Sequence, residues 1–151
     1  MDDRRYYTVD EANQVVPWLE SCFGRILQLR SQMRSLYGAL EAMGDRPEPQ
    51  AVLSPVGVGD GTETDDPRSR ARSTFVGLME LVQEELLAIQ ERGIEVKDLD
   101  TGLCDFWSES VVPGLEVFLC WRYGEKSITH YHEPHAGFAG RKPLPPPAPG
   151  C

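Results

Sequence analysis

Neutral imidazoles beside carboxylates are donors that suit a transition metal. This chain gathers all three of its histidines in one short run, His130-Tyr131-His132-Glu133-Pro134-His135. His130 and His132 stand two apart, so on a strand both project from one face, and Glu133 and His135 can fold back from the turn that follows. Such a set suits zinc, iron, nickel or copper, which makes a divalent transition metal a candidate cofactor. The competing expectation is that His130 and His132 are half-buried sheet residues with hydrogen-bonded rings, and that His135 is exposed. Asp98, Asp100 and Asp105 form a second constellation. Three carboxylates this close can hold a hard cation, or two of them can divide acid and base roles. Their spacing fits no calcium loop, and Asp at such places also caps turns. Arg122 and Arg141 form a third. Guanidinium forks facing a cleft would bind a carboxylate or phosphate, and beside Asp98 or Asp105 they would make ion pairs. No nucleophile elbow, phosphate-binding loop or dinucleotide fingerprint occurs.

These residues need elements to hold them. Thr8-Val9-Asp10-Glu11 matches a capping box. From it an apolar stripe runs Ala12, Val15, Leu19, Cys22, Ile26, Leu29, Met33, Leu36, Leu40, Met43, in steps of three and four, the spacing of a packed helical seam. Pro17 lies inside the run and is expected to kink the helix. Residues 45–67, rich in Pro and Gly, read as a mobile loop. A second stripe follows, Phe75, Leu78, Met79, Val82, Leu86, Ile89, ending at Gly93 as a C-terminal cap. The two stripes are expected to pack on each other as an antiparallel helical hairpin.

The period then changes. Ile94 and Val96 alternate with Glu95 and Lys97, residues 98–102 turn the chain, and Leu103–Phe106 reads as a short strand. Leu115–Arg122 reads as a firmer strand, paired with Ser127–His132 through a two-residue turn. That register sets Trp121 opposite Ile128, Leu119 opposite His130 and Val117 opposite His132. Residues 143–151 read as a disordered polyproline tail. The expected fold class is therefore α+β, one domain over residues 1–142: a long helical hairpin followed by a small antiparallel sheet.

The formal net charge of −9 argues against nucleic acid, whose binders present a basic face. Arg68, Arg70 and Arg72, beside Asp65 and Asp66, read as a solvated helix start. No apolar stretch suits a bilayer and no secretory h-region follows Met1, so a cytoplasmic protein without membrane contact is expected. None of the four cysteines forms a C-x-x-C pair. Cys22, Cys104 and Cys120 read as small buried hydrophobes, and Cys151 as an exposed thiol.

Three phrases stand together: Tyr6–Asn13, Gly93–Leu103 with Asp105-Phe106, and Leu119–Arg122 with His132-Glu133 and Gly137–Arg141. They resemble the bacterial domain-of-unknown-function family 2203, over nearly the whole chain outside the Gly/Pro loop and the tail. The resemblance implies a fold and carries no settled activity. The chain departs from the family pattern in its long loop after Gly44. It departs also in His130 and His135, so the pattern supports His132 alone among the histidines. The combined expectation is a non-catalytic binding or accessory domain, with a polar Asp/His/Arg site for a divalent metal or small anion. The rival expectations are a metal-dependent, hydrolase-like enzyme using the same residues, and a structural protein whose helical hairpin docks a partner or a second copy.

Overall fold

The computed structural model describes residues 4–44 and 66–145. Helix α1 spans Val9–Ala42. The capping box forms: Thr8 N–H donates to Glu11 Oε1 at 2.9 Å, and Glu11 N–H to Thr8 Oγ1 at 3.1 Å. Such a cap stabilises a helix start by about 1 kcal/mol. The helix continues through Pro17, whose carbonyl accepts the Ser21 hydroxyl at 3.2 Å. Ala12, Leu19, Cys22, Ile26 and Leu40 of the stripe are buried, while Val15, Leu29, Met33 and Leu36 are half-buried and Met43 is exposed. Val16 and Phe23 are buried as well, off the heptad positions. A face that wide is what a helix needs to cover a sheet, and Phe23 indeed packs 6.1 Å from the Trp121 ring.

Helix α2 spans Pro67–Glu91. Pro67 thus belongs to the helix and not to the expected loop. It takes the first helical position, where its missing N–H costs nothing, and Asp66 caps the turn by accepting the Arg68 N–H at 3.3 Å. The rest of the expected loop, residues 45–65, lies outside the described residues. Gly93, at φ 80°, ends the helix as its left-handed cap. No helix among the described residues is long and apolar enough to cross a membrane.

The chain divides into two compact units, one of residues up to Gly24 with those from Leu86 onward, the other Arg25–Glu85. In the second, α1 and α2 are tied by a bidentate pair, Arg25 Nε to Glu85 Oε1 at 2.7 Å and Nη2 to Oε2 at 3.1 Å. Tyr37 and Phe75 pack there with ring centroids 6.3 Å apart.

The first unit holds a five-stranded antiparallel sheet in sequential order: β1 Ile94–Asp98, β2 Leu103–Val112, β3 Leu115–Arg122, β4 His130–His132 and β5 Lys142–Pro143. Strand β2 runs well past the expected Phe106 and turns into β3 through Pro113-Gly114, with Gly114 at φ 78°. The tail also starts later than expected, since Lys142 and Pro143 pair with β4 and Leu144 N–H donates to the Thr129 carbonyl at 2.9 Å. Residues 146–151 lie outside the described residues.

The register of β4 differs from expectation by one residue. Phe118 pairs with His132, Leu119 with Tyr131 and Cys120 with His130. Glu125 N–H closes a turn onto the Arg122 carbonyl at 2.9 Å, but the ladder of a two-residue hairpin does not follow it. Instead, Glu125 curls back so that its carboxylate takes the Arg122 N–H at 2.8 Å and its carbonyl takes Trp121 Nε1 at 2.9 Å. Asn13 on α1 then accepts the Ile128 N–H at 2.7 Å, holding that residue out of the ladder. The strand therefore begins only at His130. Because side chains alternate, a one-residue slip moves each of them to the other face of the sheet. In the expected register His130 and His132 would join Leu119 and Val117 on the face toward the helices. In the observed one they join Asp105, Trp107, Phe118 and Cys120 on the opposite face.

The helix-side face carries Ile94, Cys104, Phe106, Ser108, Val117, Leu119 and Trp121, all buried. Tyr7 closes this core. Its ring meets Phe106 edge-on at 5.1 Å, its N–H donates to the Trp107 carbonyl at 2.7 Å, and its hydroxyl donates to the Arg92 carbonyl at 2.6 Å.

Candidate metal centre

Three neighbouring strands bring one donor each to the face away from the helices. Asp105 on β2 lies directly across from Cys120 on β3, and His132 on β4 lies across from Phe118, two residues along. Exposure is 2% for Asp105, 0% for Cys120 and 2% for His132. One carboxylate oxygen, the Cys120 sulfur and one imidazole nitrogen all lie within 4.8 Å of one another. The Phe118 ring, 5.5 Å from the imidazole and packed at a tilt 4.0 Å from the Trp107 ring, walls one side.

The hydrogen bonds fix the tautomer. His132 Nδ1 lies 2.8 Å from the Glu133 carbonyl, which can only accept, so Nδ1 carries a proton. Nε2 then faces both Asp105 oxygens at 3.1 Å. A bare nitrogen lone pair against a bare carboxylate would repel, so one proton sits between the two side chains. Placed on nitrogen it makes a buried ion pair; placed on oxygen it makes a neutral hydrogen bond. Burial pushes the Asp105 carboxyl up from its ordinary range, while the charge and hydrogen bond of His132 pull it down less strongly. The Cys120 thiol also hydrogen-bonds to Asp105, and burial pushes it up to about 12. In this state the centre holds two exchangeable protons, one on sulfur and one in the Asp–His contact.

The other candidates separate. Asp98 spends its carboxylate on the β1–β2 turn, accepting Asp100 N–H at 3.1 Å and the Thr101 hydroxyl at 2.9 Å. Asp100 is exposed within that turn. His130 bonds Thr129 Oγ1 through Nδ1 at 2.8 Å. His135 is 82% exposed, with Nε2 3.4 Å from Glu133 Oε2, and Glu133 also approaches Lys142 Nζ at 3.8 Å. The three histidines thus do different things, and His132 alone joins the cluster with Asp105 and Cys120. Arg122 is exposed. Arg141 pairs with Glu125, Nη2 lying 3.2 and 3.0 Å from the two oxygens, and stacks 4.6 Å from the Phe138 ring. Its Nε is buried without a hydrogen-bond partner among the described residues. Cys120 is the member that reading the chain as isolated segments misses. Its only signal is position, since it becomes a donor once β2 is seen to pair with β3.

A family model described as Uncharacterized conserved protein (DUF2203) matches residues 5–144. None of the curated proteins and none of the solved structures matches the chain.

Proposed function

We propose that this chain, which belongs to the DUF2203 family, is a non-catalytic binding or accessory domain that holds a divalent transition metal on Asp105, Cys120 and His132. The observation that carries this reading is the convergence of an oxygen, a sulfur and a nitrogen donor within 4.8 Å at a buried point. A mixed N/S/O set suits zinc or its neighbours in the transition series, and suits magnesium or calcium poorly. Charge balance supports the same choice. A dication replacing the two exchangeable protons leaves the buried centre as neutral as before, so entry does not add an uncompensated charge to a low-dielectric place. The Glu133 carbonyl, by holding Nδ1–H, leaves Nε2 as the donor, the usual way an outer partner orients a ligating imidazole. Exposure of at most 2% at each donor favours holding over turnover, because a catalytic metal needs a position open to substrate.

The test is elemental analysis of protein purified without a histidine tag, followed by titration of the chelator-treated protein with cobalt(II). Binding through Cys120 gives a thiolate-to-cobalt charge-transfer band, and tetrahedral visible bands should accompany it. His132→Gln should lower uptake by about tenfold or more with helical circular dichroism intact. Wild-type protein that arrives free of metal and takes up no zinc, cobalt, iron or manganese would refute the reading.

A further inference from the structure

Strand β1 ends the sheet, so among the described residues the outer backbone edge of Ile94–Asp98 has no neighbouring strand. A cleft of about 640 Å³ lies there, within the size range of ligand sites, lined by residues 93–96 together with Arg4, Arg5 and Trp107. The charges in it are unevenly used. Glu95 is engaged on both oxygens, by Lys97 Nζ at 2.7 Å and Trp107 Nε1 at 2.8 Å. Arg4 lies 3.9 Å over the Trp107 ring and pairs with Glu116 at 2.6 Å. Arg5 only stacks over Tyr7, at 4.7 Å, and no carboxylate among the described residues pairs with it. In a chain of net charge −9, a guanidinium left over beside an unpaired strand edge is complementary to an anionic segment. The pairing stretch is short, because the register shift between Val96 and Asp98 breaks the edge and Lys97 stands at the break.

We propose that this cleft takes a short extended peptide bearing carboxylate side chains, which adds as a strand along Ile94–Val96 and directs one carboxylate to Arg5. Main-chain hydrogen bonds would supply the affinity, and the guanidinium the preference for acidic sequence. None of the three metal donors lines the cleft, although Trp107 touches both places through Phe118, and neither reading depends on the other.

The experiment uses the full chain, labelled with nitrogen-15, titrated with a hexapeptide of alternating Glu and Val. Amide shifts should concentrate at Arg5, residues 93–96 and the Trp107 indole, with slowed hydrogen exchange at Ile94–Val96. Arg5→Gln should weaken binding about fivefold, as expected for one exposed ion pair, and His132→Gln should leave it unchanged. An alternating Lys–Val peptide should not bind, and N-methylation of the Glu–Val peptide backbone should abolish binding. No shift at millimolar peptide, shifts away from β1, or an unaffected Arg5→Gln variant would each overturn the proposal. So would equal binding of the N-methylated peptide, which would reduce the cleft to a simple anion site.

Discussion

Replacing Asp105 by Ala and by Asn in metal-free protein should give two very different costs. Asp105→Ala removes both oxygens that face His132 Nε2 at 3.1 Å and also the acceptor of the Cys120 thiol. With Nδ1 committed to the Glu133 carbonyl, the imidazole cannot turn to another partner without breaking a second bond. Breaking a buried pair on one side costs about 3–5 kcal/mol. A domain of this size has roughly 5–15 kcal/mol in total, so the loss lowers Tm by roughly 10 °C. Asp105→Asn differs because the tautomer is pinned. Its amide N–H₂ can donate to the lone pair on Nε2, and its carbonyl can accept from Cys120, so the cost should be about 1 kcal/mol. Urea unfolding followed by circular dichroism measures both, with unchanged m-values as the check that the transition itself is unaltered. Equal losses for the two variants would refute the pinned tautomer, and an Ala variant costing less than about 1 kcal/mol would refute the shared proton.

Thiol labelling offers a second test. With Cys120 pushed up to about 12 and Cys104 raised further by burial, both should stay protonated at mildly alkaline pH and react with iodoacetamide only as fast as the protein unfolds, read by mass spectrometry. Glu95 supplies a pH dependence: burial pushes its carboxyl up, but the hydrogen bonds of Lys97 and Trp107 outweigh this and leave it lowered. The stability it contributes is thus present above its unfolded value near 4.5 and is lost as pH falls through the lower folded value, so the acid limb of unfolding should be shallower in Glu95→Gln. On α1, Ile26→Asp should cost on the order of 4 kcal/mol and half-buried Leu29→Asp on the order of 2 kcal/mol, compared by denaturant melts; equal costs would contradict the burial difference.

The helices were legible because their signals are local. A Thr and a Glu three apart, a stripe in steps of three and four, and a Gly after the last turn act within a few residues; the cap and the terminal Gly appear where the sequence puts them, and the stripe is buried in part, with Val16 and Phe23 widening it. The sheet was legible in type but not in register. Strand β2 is read only as far as Phe106 and not to Val112, because Cys104, Asp105, Phe106 and Ser108 are all buried and the polar–apolar alternation that marks a one-sided strand is missing. The β3–β4 register turns on Glu125 folding onto Arg122 and on Asn13 reaching Ile128 across 115 residues, and no turn template contains either contact. Asp105 and His132 were already candidates on chemical grounds. What joins them to Cys120 is the face on which that register sets them.

The Asn13–Ile128 bond has a consequence for how the molecule is assembled. The strands follow one another as a meander, so most of the sheet can form from contacts between chain neighbours. The last strand bearing a donor, His130–His132, is only three residues long, and Asn13 at the other end of the chain fixes where it begins. Tyr7 closes a similar span by bonding Trp107 and Arg92. The donor set is therefore complete only when segments 115 residues apart have met, a loop closure with its own entropic cost. A chain interrupted before that point would hold Asp105 and Cys120 on a finished hairpin with no imidazole between them. Under the proposed metal-binding reading, acquisition of cobalt colour during refolding should thus lag behind helix and sheet formation, marking this long-range closure rather than collapse of the chain.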